Sequence, residues 1–258
     1  MDILICIKQV PDMESKFRID GEGTWYDRAD LAWRMNEYDE YAVEQAVRLK
    51  EQFPNADLTV LCIGPDQVSE SIKKALAMGC DRGVHIADSE SFAREPIAIA
   101  TMIADFARDK QFDIIFTGMQ SQDRGSAQVG VMVAELLGMS AVTTIVGFSC
   151  DDDGVIQVKR ELEGGSKAVV TATVPVVLTC QLGLNTPRYP TLPNIMKAKK
   201  KELRVLLPGT GGGVTARQET AACYFPEKKG GGLVLEGDIP EIADKLIQLL
   251  KEKTSVLA

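Results

Sequence analysis

The stretch Gly118-Met119-Gln120-Ser121-Gln122-Asp123-Arg124-Gly125-Ser126-Ala127-Gln128-Val129-Gly130 carries the densest set of groups that could do chemistry. It follows the apolar run Ile114-Ile115-Phe116-Thr117 and opens a helical pattern. Backbone N–H groups and a helix dipole would therefore converge above it, and the ligand that suits them is a phosphate. Ser126 is placed to cap the helix, and its hydroxyl could also donate to an anion. An ordinary capped strand-to-helix turn is the plainer explanation of the same pattern, and both readings stand at this point. No GxxxxGK[ST] occurs, and no GxGxxG follows the first strand, so Walker and dinucleotide-binding loops are absent from the sequence.

A second chemical feature is the basic segment 188–204. Arg188, Lys197, Lys199, Lys200, Lys201 and Arg204 face a single acid, Glu202, for a net charge of +5 against −8 for the whole chain, which leaves −13 for the remainder. Such a run can be a solvated face. Here it begins with Thr191-Leu192-Pro193-Asn194-Ile195-Met196, and an apolar anchor with a cationic rim is what a protein-docking surface needs. The one histidine, His85, lies between Val84 and Ile86 and reads as structural. A single imidazole excludes His-rich zinc sites and forces any Ser-His-Asp triad through His85. The six cysteines form no CxxC pair, so zinc ribbons and ferredoxin-type clusters lack their ligand spacing. Several sit in apolar runs as small hydrophobes, which points to a reducing compartment. No nucleophile with its base and no carboxylate pair emerges, so no catalytic residue and no metal site is assigned.

The elements that must position these residues alternate over the first 140 positions. Apolar runs predict strands over 2–7, 57–63, 83–86 and 113–117, and helical patterns cover 37–50, 69–77, 95–108 and 127–137. This β-α order implies a three-layer α/β/α domain with a mainly parallel sheet, a Rossmann-like architecture suited to a nucleotide. Ligands of such folds sit beyond the carboxyl ends of the strands. After residue 141 the pattern changes to β-rich runs over 142–148, 155–162, 168–173 and 176–179, with Asp151-Asp152-Asp153-Gly154 as a hairpin turn. A tail with glycine runs at 211–213 and 230–232 ends in an amphipathic helix over 239–251, striped by Ile242, Leu246, Leu249 and Leu250. The glycine runs read as flexible loop.

With 258 residues, 45% hydrophobic and 26% charged, the chain is sized for one large domain with an appendage. The division expected is 1–205 for the nucleotide-binding domain, including the docking segment at 184–201, and 206–258 for a C-terminal arm whose helix packs on something else. A pI near 4.9 argues against nucleic acid as a partner. The N-terminus lacks a signal-peptide pattern, and no apolar run approaches the ~20 residues that span a bilayer. A cytoplasmic protein that is not membrane-embedded is expected.

The run Leu184-Asn185-Thr186-Pro187-Arg188-Tyr189-Pro190-Thr191-Leu192-Pro193-Asn194-Ile195-Met196-Lys197-Ala198-Lys199-Lys200-Lys201 resembles the recognition loop of the electron transfer flavoprotein β subunit. Ile7-Lys8-Gln9-Val10, Asn36 to Glu44, Ala75-Leu76-Ala77-Met78-Gly79, Asp81-Arg82-Gly83, the loop from Gln120 to Val131 and Val158-Lys159-Arg160-Glu161 align in the same order. Only the last fifty residues match weakly. The resemblance implies a heterodimer with an α subunit that holds the redox FAD, and a structural AMP in this chain. It places the AMP contacts at Cys6, Ile63, Asn36, Glu37, Tyr38, Asp39, and at Gln120, Ser121, Gln122, Asp123, Arg124, Gly125, Ser126, Ala127, Gln128, Val129, Gly130 and Val131. Three departures from the family's usual residues occur: Thr186 where an acid precedes the proline, Glu37 where a proline follows the asparagine, and Ser126-Ala127-Gln128 where an asparagine is common. Some members hold a second FAD in this pocket and bifurcate electrons. AMP is the expectation because the recognition loop is of the non-bifurcating type, and the choice stays open.

For docking, the resemblance implies that Leu192 inserts into acyl-CoA dehydrogenases during fatty acid oxidation, with Ile195 and Met196 beside it and Lys197, Lys199 and Lys200 on the rim. The electrons would pass to a membrane quinone oxidoreductase or another acceptor. Two other classes compete on the same fold. An ATP-using enzyme would need a glycine-rich pyrophosphate loop where Lys8-Gln9-Val10-Pro11-Asp12 stands. A stand-alone nucleotide sensor would leave the recognition loop unexplained.

Overall fold

The structure is a computed structural model, and it describes residues 1–151, 154–227 and 231–255. In chain order the elements are β1 (Asp2–Ile7), β2 (Gln9–Pro11), β3 (Trp33–Met35), α1 (Glu37–Gln52), β4 (Asp57–Gly64), α2 (Ser69–Met78), β5 (Arg82–Ala87), α3 (Pro96–Ala107), β6 (Ile114–Gly118), α4 (Val129–Leu137), β7 (Ser140–Cys150), β8 (Ile156–Glu161), β9 (Lys167–Ala172), β10 (Val176–Cys180), α5 (Leu192–Ala198), β11 (Leu203–Leu206) and α6 (Ile239–Lys253).

Nine strands form one sheet in the order β11-β5-β4-β1-β6-β10-β7-β8-β9. The first seven run parallel, and β8 and β9 add an antiparallel edge. Alternation along β1 builds the three layers. Ile3, Ile5 and Ile7 point into the cluster shared with Ala42, Val43 and Ala46 of α1 and Ile72 and Leu76 of α2. Leu4 and Cys6 point into the opposite cluster with Ile103 and Phe106 of α3 and Val133 of α4. Helix boundaries follow chemistry that the sequence displays: Pro96 sits in the first turn of α3, and Gly138 closes α4 at φ 65°.

The β-rich extension expected after residue 141 is only partly an extension. β7 and β10 belong to the parallel body, with β10 inserted between β6 and β7. All five residues of β10 are buried, and a strand without polar alternation belongs inside a sheet covered on both faces. Of the predicted hairpin turn, Asp152 and Asp153 lie outside the described residues, as does Gly230 of the second glycine run. Three elements carried no periodic signal: the β2–β3 ribbon, the edge strand β11, and α5 within what reads as a loop. Thr191 starts α5 by accepting the Asn194 amide at 3.4 Å, and Pro193 occupies its first turn.

The tail crosses the body before it leaves it. Thr210 N–H donates to Asp105 at 3.2 Å, Arg217 N–H to Glu95 at 2.9 Å, and Cys223 N–H to the Gly23 carbonyl at 2.7 Å. Helix α6 follows, capped by Asp238, and none of its residues is buried. Ile239, Leu246 and Ile247 are exposed.

Candidate functional site

The chain leaves β1 toward β4, β5 and β11 on one side and returns to β6 on the other, so the strand order reverses between β1 and β6. A cleft opens at that switch point, beyond the carboxyl ends of β1, β4 and β6, as expected for an open parallel sheet. It holds about 1170 Å³ of empty space, including solvent at its mouth.

Asp39, from the first turn of α1, lies at the floor. Its Oδ2 accepts the Lys8 amide at 2.7 Å, and its Oδ1 accepts the Gly118 amide at 2.9 Å, which ties the ends of β1 and β6 together. Burial pushes the Asp39 carboxyl up to about 7, against those two N–H donors, the Asn36 side chain and the Lys8 charge. Gly118 makes the approach possible, because a Cβ there would stand 2.3 Å from Asp39 Oδ1. Asn36, also buried, staples the loop after β6: its Nδ2 donates to the Gln120 carbonyl at 2.9 Å, and its Oδ1 accepts the Gln122 amide at 3.0 Å.

The loop from Gln120 to Gly130 forms one wall. Gly125 and Ala127 both adopt positive φ, 61° and 53°. For alanine this is a sparsely populated conformation, and such outliers collect at ligand sites. Helix α4 then begins at Val129, with Gln128 at its N-cap position and no side-chain cap. Its first-turn N–H groups have no intrahelical acceptors, and Gln128, Val129 and Gly130 face the cleft. Ser126 is not the cap that its position suggested. The N-cap position falls two residues later, at Gln128, and Ser126 lines the cleft instead. Gly130 lets this turn settle against the sheet, since a Cβ would meet Thr117 Oγ1 at 2.7 Å and Thr179 at 2.8 Å.

Cys6, Asn36, Asp39, Ile63, Gln120, Ser121, Asp123, Arg124, Ser126, Ala127, Gln128, Val129 and Gly130 line the cleft. Glu37, Tyr38, Gln122, Gly125 and Val131 do not. Three of these support the loop from behind: Gln120 Nε2 donates to the Tyr38 hydroxyl at 3.0 Å, and Gln122 Nε2 to Glu37 at 2.9 Å. The Cys6 thiol is raised far above the usual range, first by burial and then by Asp39, and Cys62 is pushed up to about 12 by the same two causes. Both are inert as nucleophiles. His85 is buried, with Nε2 2.8 Å from the Gly64 carbonyl, in the structural place expected of it.

Sequence reasoning missed the opposite lip. Tyr26 and Arg28 come from the excursion between β2 and β3, Trp33 from the first residue of β3, and Phe92 and Arg94 from the turn before α3. No periodicity marks residues 12–33. The clue available was compositional, for both tryptophans of the chain, Trp25 and Trp33, fall there. Lys8, also unassigned, crosses the cleft to Asp123 at 2.6 and 2.7 Å.

Away from the cleft, the basic segment divides into braces and a free face. Arg188 bridges Glu44 (2.8 Å) and Glu51 (2.5 Å) on α1. Burial opposes ionisation of Glu44, yet the Arg188 and Arg48 guanidiniums hold it below its usual range. Lys201 donates to the Leu76 and Cys80 carbonyls at the end of α2, at 2.9 and 2.5 Å. Clamped at both ends, the segment presents α5, on which Leu192 is 79% exposed and Met196 60%, with Ile195 and the lysines at 197, 199 and 200 beside them.

Among the described residues, no three His, Cys, Asp or Glu side chains gather as a metal site, and no helix is long and apolar enough to cross a membrane. The sequence profile of the electron transfer flavoprotein domain matches residues 23–208. The chain is 38% identical to the electron transfer flavoprotein subunit beta of Bradyrhizobium diazoefficiens, over 95% of this chain and 97% of that one. It is 35% identical to that of Bacillus subtilis over the full length of both, and 34% identical to that of Homo sapiens over 97% and 96%. A switch-point cleft, a clamped recognition segment and end-to-end similarity converge, and the chain belongs to the β-subunit family of electron transfer flavoproteins.

Proposed function

We propose that this chain is the non-catalytic half of a heterodimeric electron carrier that takes electrons from acyl-CoA dehydrogenases and delivers them to a membrane quinone oxidoreductase or a similar acceptor. The redox FAD resides mainly on the α subunit, and the cleft described above holds AMP. The observation that carries the nucleotide assignment is the uncapped start of α4, which turns unsatisfied N–H groups into a cleft at the switch point. The residues present suit a nucleotide: apolar Ile63, Val68, Ile99 and Ile103 for a base, and polar loop groups for ribose and phosphate. A second FAD is the competing occupant, favoured by the aromatic groups Tyr26, Trp33 and Phe92 on the opposite lip.

FAD supplies one- and two-electron transfer when bound, and this chain's own residues would position rather than react. The clamps at Arg188 and Lys201 hold α5 outward, so Leu192, Ile195 and Met196 form an apolar anchor that docks a dehydrogenase while the flavin-bearing partner stays free to approach it. The first part of the arm crosses this chain's own body, and α6 packs on the α subunit through its apolar side chains, none of which is buried by this chain. Release and quantification of bound nucleotides from the purified complex tests the assignment. One FAD and one AMP per heterodimer is the expected result; two FAD without AMP replaces it with the bifurcating reading, and one FAD alone refutes a nucleotide in this chain.

A further inference from the structure

The cations that line the cleft differ in how they are satisfied. Lys8 is paired with Asp123 at 2.6 Å, and Arg94 with Asp88 at 2.9 Å. Arg124 donates to the Phe92 and Arg94 carbonyls and stacks over Trp25 at 4.4 Å. Arg28 has aromatic neighbours only: its guanidinium lies 4.3 Å from the Phe92 ring centre and 5.4 Å from that of Trp33. Among the described residues no carboxylate pairs with it, and its Nε is buried without an acceptor. A buried donor left unsatisfied costs free energy that a ligand oxygen would recover. Stacking on two rings also fixes the guanidinium plane while leaving its edge free, and a planar fork held this way loses little further freedom when it binds an oxyanion.

We propose that Arg28 is an anion-binding residue of the cleft, taking a phosphate of the adenine nucleotide bound there. The assignment rests on the nucleotide reading given above and adds a residue from the lip opposite the α4 terminus. Arg28 and that terminus line the same cleft, so the ligand's phosphate is met by a fixed charge as well as by backbone N–H groups. Lys8 and Arg94 are already neutralised by protein carboxylates and Arg124 spends donors on backbone carbonyls, whereas Arg28, among the described residues that line the cleft, keeps a donor without an acceptor.

The test uses the full chain in complex with its α subunit, stripped of bound nucleotide and titrated calorimetrically with adenosine, AMP and ADP. Wild-type complex should bind AMP more tightly than adenosine, and R28Q should weaken AMP tenfold or more while leaving adenosine within twofold. A loss seen with ADP and not AMP would place Arg28 at the second phosphate, the position a dinucleotide pyrophosphate would fill, and would equally support an anion-binding role. R28K keeps the charge without the fork and should fall between. If R28Q does not assemble, the AMP-to-adenosine ratio of R28K reads the same quantity. Equal weakening of adenosine and AMP would make Arg28 a packing residue of the lip, and undiminished affinity for both AMP and ADP would remove it from the site; either overturns the proposal. Wild-type complex that binds adenosine but shows no preference for AMP also overturns it, whereas wild type that binds none of the three refutes the nucleotide reading itself.

Discussion

Replacing Gly118 by alanine tests whether the cleft floor depends on the close approach of β6 to α1. The added Cβ would stand 2.3 Å from Asp39 Oδ1, 2.8 Å from Tyr38 Cβ and 3.2 Å from the Asp39 amide nitrogen, where carbon atoms prefer roughly 3.5–4.0 Å. The carboxylate cannot swing aside, because it is buried and held by the amides of Lys8 and Gly118. Tyr38 Cβ and the Asp39 amide are fixed to α1, so β6 and the first turn of α1 must part. Overpacking of this kind costs about 1–3 kcal/mol, and weakening two amide-to-carboxylate bonds adds about 1–3 kcal/mol. A total of about 2–6 kcal/mol is a large share of a typical domain's stability, about 5–15 kcal/mol. Urea unfolding of the complex should show the midpoint fall at constant slope, and the variant should lose its bound nucleotide. Gly138→Ala is the control. It sits at φ 65° with nothing within 4 Å of the new Cβ, so only backbone strain, about 1 kcal/mol, should appear. Destabilisation of Gly118→Ala no greater than that of the control, with nucleotide retained, would refute the steric account.

Leu192→Ala should weaken dehydrogenase docking by about 2 kcal/mol, a rise of roughly thirtyfold in the KM for the complex, with flavin and nucleotide content unchanged; steady-state electron transfer measures it, and an unaltered KM would remove Leu192 from the interface. Arg188→Ala leaves the carboxylate of Glu44, buried on α1, with Arg48 and the backbone amide of residue 188 only, and releases one clamp of the segment. It should cost about 2–3 kcal/mol in urea unfolding and speed proteolysis near residue 190, and a stability within 0.5 kcal/mol of wild type would show the brace to be idle. Asp39 predicts a pH dependence. Its folded value of about 7 lies above the usual 3.8 of an aspartate, so the folded state holds the proton more tightly and this group's contribution is full below about pH 4 and lost as pH rises to about 7. The stability difference between wild type and Asp39→Asn should therefore change across that window, by up to about 4 kcal/mol at roughly 1.4 kcal/mol per pH unit. A flat difference curve would show that the carboxyl is ionised throughout.

Local chemistry made much of this protein legible. Unbroken apolar runs marked β1, β4, β5 and β6, and the loop after β6 stood out because phosphate-binding geometry is local, set by a strand end and the helix that follows it. The recognition segment was legible as a string of residue types, and so was its division into an apolar anchor and a basic rim. Which cations of that rim were free was not, because the partners of Arg188 lie 137 and 144 residues away on α1, and those of Lys201 lie 121 and 125 residues away at the end of α2.

Sequence by itself determined the fold class, the family and the side of the sheet where a ligand belongs, because strand and helix periods are short-range and parallel sheets have few ways to connect them. Only the tertiary structure decided that β10 lies between β6 and β7, that Asp39 joins two strand ends under a glycine, and that Arg28 lies over two aromatic rings in the cleft lining with no carboxylate partner among the described residues. Each of these depends on contacts between residues far apart in the chain, and loop closure leaves no periodic trace along it.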